Sequence, residues 1–194
     1  STTNTVENTP ITIYGTTVDM QNVKIRGNTV FTVTADNAVT INGDITGNGQ
    51  TDITMRAPSV KKLYSSAGSR SIIGDDITIV ADIIDIADIN ATGKVELESV
   101  DKLRLDGNIT AGGDVIITSS EGDVDVAGKI ISGTGAVTVE ACEHINLTGV
   151  AAKLDVKITS SKGFVKLSSD MQKVLDNNNN PVTETVKLRL HEGD

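Results

Sequence analysis

The stretch GGDVIITSSEGDVDVAGKIIS, residues 112–132, decides the fold of this chain. It contains three short apolar clusters separated by Gly, Ser and Asp, and none of them has the length of a stable helix. Where apolar residues alternate with polar ones, both apolar side chains lie on the same face of a strand. The stretch therefore predicts three short strands joined by bends, with apolar pairs at Val115/Ile117, Val124/Val126 and Ile130/Ile131.

The same phrase recurs along the whole chain. Eight segments begin with an equivalent apolar residue, and the intervals between them are 20, 22, 24, 18, 20, 22 and 19 residues. A second and a third apolar position repeat in step with the first, and a sustained internal period of this length is typical of repeat architectures. The three registers are Ile11, Phe31, Ile53, Ile77, Val95, Val115, Val137 and Val156; then Ile86, Leu105, Val126, Leu147 and Leu167; then Ile89, Ile109, Ile130 and Val150.

These registers predict an all-β, single-domain parallel β-helix, or β-solenoid, with about eight coils of 18–24 residues and three short strands in each coil. An antiparallel sandwich also has short alternating strands, but nothing in it keeps three apolar registers in step. In a solenoid, equivalent residues of successive coils stack at about 4.8 Å and bury one another. We assign residues 11–171 to the solenoid and residues 1–10 to a flexible N-terminal segment.

The C-terminal segment, residues 172–194, departs from the period. It combines an Asn-rich turn with an alternating strand that contains Val186, Leu188 and Leu190. The end of a solenoid exposes unpaired backbone groups, which a cap covers or another chain uses for pairing. We therefore predict that these three residues form a capping strand or an exchangeable assembly strand.

A second departure from the period lies between residues 63 and 77, where one coil is longer than the others. Its Ser, Gly and Arg residues are suited to contacting a partner or an anionic group, because loops carry function more often than cores do. The plainer interpretation is an insertion without a role. The residues of this possible partner-contact loop are Tyr64, Ser65, Ser66, Ser69 and Arg70.

Composition limits the classes of partner. The chain has 17 Lys and Arg against 26 Asp and Glu, for a net charge of −9 without a basic cluster. Sequence-independent attraction to nucleic acid or to anionic lipid is therefore not expected. Direct membrane insertion is not expected either, since no apolar run approaches the roughly 20 residues that span a bilayer. The first ten residues lack the features of a signal peptide.

Catalytic chemistry has little support in the sequence. His144 and His191 have no neighbouring motif that supplies a nucleophile, and the lone Cys142 suits a structural position at a bend. The acidic corners lack the spaced oxygen ligands and final Glu of a calcium loop, so we interpret them as solvated turns. These acidic corners are residues 74–76, 112–114 and 121–123. We therefore expect no catalytic residue, no cofactor and no metal site.

The run LRLDGNITAGGDVIITSSEGDVDVAGKIISGTGAVTVEACEHINLTG, residues 103–149, resembles the β-solenoid shafts of filamentous-haemagglutinin-like exoproteins and bacterial adhesins, which contain similar AGGDV and GDVDVAG phrases. The resemblance covers about residues 75–170. It implies a right-handed parallel β-helix, secreted or exposed at the cell surface, that serves in adhesion or as a structural shaft. A signal peptide would then have been removed, and a host or matrix glycan or protein would be the partner.

Two other functions remain open. Bactofilin-type cytoskeletal solenoids also alternate apolar residues with Gly-rich corners and polymerise end to end. Carbohydrate-active β-helix enzymes share the architecture, but they place clustered Asp, Arg or Lys and sugar-stacking aromatics on one outer sheet, and only 2% of this chain is aromatic. We therefore predict a non-enzymatic adhesin shaft or self-assembling fibre subunit, forming homo-oligomers or filaments through the ends of the solenoid.

Overall fold

The computed structural model describes residues 9–62 and 70–168, together with the backbone of a strand at residues 187–190. These residues contain eighteen strands, and every strand pair is parallel. The strands are β1 Ile11–Met20, β2 Val23–Lys24, β3 Thr29–Ile41, β4 Ile45–Thr46, β5 Thr51–Arg56, β6 Ser59–Lys62, β7 Ile72–Gly74, β8 Ile77–Ile86, β9 Ile89–Ala91, β10 Val95–Leu105, β11 Ile109–Ala111, β12 Val115–Ser119, β13 Asp123–Ser132, β14 Val137–Ala141, β15 Ile145–Ala152, β16 Val156–Ser160, β17 Val165–Leu167 and β18 Lys187–Leu190.

The strands stack into three faces, each built from one segment of every coil. The first face begins at Ile11 in β1 and continues through its register partners in β3, β5, β8, β10, β12, β14 and β16. The second face consists of residues 17–20 and their partners in β3, β6, β8, β10, β13, β15 and β17. The third face consists of β2, β4, β7, β9 and β11, then residues 130–132 and 150–152.

This arrangement confirms the predicted β-solenoid, with about seven turns that contribute a segment to all three faces. All eight residues of the predicted first register are direct partners in the stack, beginning with Ile11 and Phe31. The predicted second and third registers pair in the same way, as Ile86 with Leu105 and Ile89 with Ile109 show. The nine rungs of the first face, β18 included, give a stack of about 38 Å at a spacing of about 4.8 Å.

The core consists of aliphatic columns that run lengthwise through the stack. In β12 the side chains alternate between buried and outward positions, as strand geometry requires. Each buried residue packs against its equivalents in the coils before and after it. One column, fully buried throughout, is Val33, Met55, Ile79, Leu97, Ile117 and Val139.

Small residues line the corner where the first face turns into the second. Ala81, Ser99, Ser119 and Ala141 are direct partners in four successive coils, and all four are buried. A short side chain leaves room for the chain to bend inward at this position. The sequence signal for this column is the Ala or Ser that ends each first strand.

Backbone packs directly on backbone at another corner, between the second and third faces. A Cβ atom added to Gly128 would lie 2.1 Å from the carbonyl oxygen of Gly107 in the preceding coil. No side chain fits in this space, so glycine is required there by close approach. Gly43 and Gly107 are limited in the same way, because an added Cβ atom would lie 2.7 Å from the backbone nitrogen of Asn22 and 2.9 Å from that of Asp88.

No helix in the described part of the chain has the length and apolar character needed to cross a membrane. The buried residues form one continuous cluster from Val18 to Ile158. The solenoid is thus held together along its length by a single aliphatic core.

We expect replacement of a column residue to be costly and replacement of its outward neighbour to be mild. Ile117→Ala removes a fully buried side chain and should lower the free energy of unfolding by about 2–5 kcal/mol. Ile116→Ala, the matched control on the outer surface of the same strand, should cost less than about 1 kcal/mol. Urea unfolding followed by circular dichroism measures both, and equal losses would contradict the assigned register.

Candidate functional sites

The acidic corners predicted from the sequence make contacts between coils. The Asp76 Oδ1 atom accepts a hydrogen bond of 2.8 Å from the backbone N–H of Lys94, and the Asp114 Oδ1 atom accepts one of 2.8 Å from Ala136. The hydroxyl of Thr92 donates to Asp75 Oδ1 at 2.6 Å. These turn carboxylates are therefore more than solvated, because each holds a group of the next coil.

The corner between the second and third faces uses the same device. The Asp88 Oδ1 atom accepts from the backbone N–H of Asn108 at 2.8 Å, and Asn108 Oδ1 accepts from Lys129 at 2.9 Å. Such side-chain acceptors satisfy backbone donors where the strand ladder is interrupted. Within the described residues, no group of three or more His, Cys, Asp or Glu side chains is arranged to hold a metal ion.

His144 lies in a small cluster on the edge of the second face. Its Nδ1 atom is 3.2 Å from Asp123 Oδ1, and its ring centroid is 4.2 Å from that of Phe164. The backbone N–H of His144 also donates to Asp123 Oδ1, and this hydrogen bond is the largest cause of a lowered pKa for the Asp123 carboxyl. The sequence contained no signal for this cluster, since Asp123 and Phe164 are each about one coil away from His144.

The other residues considered for chemistry do not extend this cluster. Cys142 is half-buried and its thiol is not in a disulfide. Its backbone N–H donates a hydrogen bond of 3.0 Å to the carbonyl oxygen of Ser119. His191 lies outside the described residues. Phe164 is 52% exposed, so the cluster is open to solvent on the side of the ring.

Lys62 occupies a position that sequence reasoning missed. It stacks on Ile41 in an otherwise aliphatic column of the second face, and its side chain is only 7% exposed. The Nζ atom contacts Asp85 Oδ1 at 2.8 Å and Asp106 Oδ2 at 2.7 Å. Arg104 Nε contacts the other oxygen of Asp106 at 2.9 Å. A charged side chain thus occupies one position of an aliphatic column, and its ion pairs reach residues of the following two coils.

The contacts in this network favour the charged forms of the Lys62 amine and the Asp106 carboxyl. Burial by itself lowers the pKa of the Lys62 amine, but hydrogen bonds to Asp106 and Asp85 outweigh burial and raise that pKa. The hydrogen bond from Lys62 is the largest cause of the lowered pKa of the Asp106 carboxyl, and Arg104 adds to it. The cluster is therefore an ion-pair network, which makes it a structural element and a poor source of a free amine nucleophile.

The predicted partner-contact loop falls largely outside the described residues, which include only Arg70 of its members. Arg70 is 7% exposed, so little of its surface is open to a partner. Tyr64, Ser65, Ser66 and Ser69 are not described, and their role stays a prediction.

The predicted C-terminal strand is present in the backbone as β18. It pairs in parallel with β16, where Leu188 is the partner of Ile158 and Leu190 is the partner of Ser160. β18 thus continues the first face by one rung. Val186 lies outside the described residues, and the choice between a cap and an assembly strand stays a prediction.

Two open grooves lie at corners of the stack, the first between the third and first faces and the second between the second and third faces. One has a volume of about 310 Å³ and is lined by Lys24, Arg26 and five uncharged residues. The other, of about 360 Å³, is lined by residues that include Asp125 and Lys166.

Comparison of the chain with protein-family models, curated proteins and solved structures gave no match.

Removing the charge of Lys62 should destabilise the fold in a pH-dependent way. Lys62→Met removes the ammonium group that contacts both Asp85 and Asp106, and we expect a loss of about 2 kcal/mol at pH 7, less than for a fully buried pair because Asp106 is 35% exposed and also contacts Arg104. Lys61→Met, the exposed neighbour, is the matched control and should change stability by less than about 0.5 kcal/mol.

The sign of the pH dependence follows from the two pKa shifts. The contribution of Asp106 is present above its ordinary pKa of 3.8 and is lost as the pH falls through its lowered folded-state pKa. The contribution of Lys62 is present below 10.5 and is lost as the pH rises through its raised pKa. Urea unfolding at pH 7 and pH 3 should show the difference between wild type and Lys62→Met shrinking at pH 3; an unchanged difference would contradict the ion-pair assignment.

The corner hydrogen bond of Asp123 should be separable from its charge. Asp123→Ala removes the acceptor for the backbone of His144 and should cost about 1 kcal/mol, whereas Asp123→Asn keeps an oxygen and should cost less. Because the pKa of Asp123 is lowered in the folded state, its charge stabilises the fold above pH 3.8, and this part is lost as the pH falls through the lowered pKa. Equal losses for both variants in urea unfolding at pH 7 would rule out the acceptor role.

Proposed function

We propose that this chain is a non-enzymatic structural β-solenoid, acting at the cell surface or outside the cell as a fibre subunit or as the shaft of an adhesin. The observation that carries the proposal is the unbroken parallel pairing, which extends from β1 to β18 through every described coil. A stack of this kind has no built-in length, because each coil presents to the next one the same backbone pattern that it received. Another copy of the chain is the natural continuation.

The N-terminal end of the stack supplies one edge for pairing. Buried residues donate their N–H groups to the following coil, as Ile53 does to Asp76 at 2.8 Å and Val95 does to Asp114 at 2.9 Å. The residues that alternate with the buried ones donate their N–H groups to the preceding coil, as Cys142 does to the carbonyl oxygen of Ser119. By this pattern the N–H groups of Thr12 and Tyr14 in β1 point toward the position of a preceding coil, and the described residues place no strand there.

The C-terminal end supplies the complementary edge. β18 pairs with β16 on one side only among the described strands, and it continues the first face to which β1 also belongs. Pairing of β18 with β1 of another copy is strand addition at an exposed sheet edge, in which main-chain hydrogen bonds provide the affinity. The repeating unit of the fibre is then one whole solenoid.

The carboxylates on the solenoid favour a structural role over an enzymatic one. Glycoside hydrolysis requires two carboxylates about 5–10 Å apart across a groove. The larger of the two corner grooves has a single carboxylate, from Asp125, and the other has none. At the corners, Asp76, Asp88 and Asp114 are engaged by the backbone of a neighbouring coil.

Electron microscopy of the purified chain tests the proposal. Wild-type protein in negative stain should form filaments about one solenoid wide. Thr12→Pro removes the N–H group that points to the free edge of β1, and it should abolish filaments while leaving the thermal unfolding transition in place, because proline is tolerated on edge strands. Thr12→Ala keeps the N–H group and is the matched control.

Each outcome bears on one part of the proposal. Filaments of Thr12→Pro as long as those of wild type would overturn the assignment of β1 as the pairing edge. Single particles of wild type at every concentration would overturn the fibre role, and a screen against host and matrix glycans would then address the adhesin shaft directly.

A further inference from the structure

The third face is free of charged side chains over six successive coils. From β4 to residues 150–152, every residue in its strand segments is apolar, Thr, Asn, Ser or Gly. The outward side chains form a single column of short or uncharged residues, in direct register from coil to coil. This column is Thr46, Ile73, Asn90, Thr110, Ile131 and Ala151.

The other two faces carry charges in the same coils. The outward positions of the first face include Arg56, Glu96 and Glu140, and those of the second face include Asp85 and Arg104. Two copies of a chain with a net charge of −9 repel each other when such surfaces meet. The third face is the one on which copies of this chain can approach without bringing like charges together.

The edges of the third face reinforce this difference. The carboxylates of Asp44 and Asp88 accept hydrogen bonds from the backbone of Ser71 and Asn108, so they are held against the stack. Lys129, at the edge of this face, is exposed. With one cation against two carboxylates, this edge adds little net charge to the uncharged face beside it.

We propose that the third face is the lateral contact through which fibres of this chain pack side by side. The proposal rests on the proposed function, because it assumes that copies first join end to end. Uncharged outward side chains let two sheets approach to the spacing of about 10 Å at which sheets stack face to face. The occupant of the third face is therefore the third face of a chain in an adjacent fibre.

The area of the face explains why the contact belongs to fibres. Three residues of strand across six coils cover about 10 Å by 29 Å, or roughly 300 Å². A stable pair of proteins needs about 800 Å² from each partner, so two isolated chains would associate weakly. Repetition along a fibre multiplies the contact without any new interaction, and lateral association then grows with fibre length.

Paired charge variants test the inference in negative-stain images and light scattering. Thr110→Glu with Ala151→Glu places two carboxylates on the third face, and the matched control, Thr54→Glu with Thr138→Glu, places two on the first face. Wild type and control should form bundles that thicken with added salt, because salt screens the net negative charge. The third-face variant should form single fibres, with the bundled fraction reduced at least tenfold.

The outcomes separate this inference from the proposed function. Bundles of the third-face variant equal to those of wild type would overturn the lateral contact, as would equal loss of bundling in both variants, which would indicate a net-charge effect. Wild-type fibres that stay single at all salt concentrations would overturn the lateral contact and leave the fibre role standing. Absence of wild-type fibres would overturn both. Circular dichroism confirms that each variant is folded.

Discussion

Stacking of each coil on its neighbours is the constraint on which this molecule depends. A single coil encloses too little volume to bury its own aliphatic side chains, so a residue such as Leu97 reaches full burial only through Ile79 below it and Ile117 above it. The hydrogen bonds between strands obey the same requirement, because they join one coil to the next, as the bond from the N–H of Val95 to the carbonyl oxygen of Asp114 does. Stability, length and the tendency to continue at the ends therefore have one physical source.

The corners show how polar residues are fitted into such a stack. A bend interrupts the strand ladder and leaves backbone N–H groups without a strand partner, and Asp or Asn side chains from the preceding coil accept their hydrogen bonds. Acidic residues at turns are thus part of the scaffold, in a protein whose composition suggests a solvated surface. The outward residues of the three faces differ in charge, and the third face has no charged side chain in its strand segments from β4 to residues 150–152.

The registers of the fold were predictable because they depend on local alternation and on a period that both appear directly in the sequence. Phe31, Ile53 and Ile77 align in the structure as their spacing predicts. The candidate sites were not predictable in the same way. Lys62 contacts Asp85 and Asp106, which follow it by 23 and 44 positions. These distances correspond to one coil and two coils, and no local sequence motif covers them. The hydrogen bond from Ala136 to Asp114 was not predictable either, because the sequence of an acidic turn is the same whether its carboxylate contacts water or the backbone of the next coil.

The sequence by itself determined the parallel β-solenoid, its three registers and its inward residues, because buried positions must repeat in kind to stack. Only the tertiary structure decided which outward residues share a face, because outward positions have no such requirement and vary freely from coil to coil. Thr110 and Ile131 are neighbours on an uncharged surface, and Asp123 lies beside His144, through stacking alone. Any property that depends on a column of outward side chains is therefore a property of the folded stack.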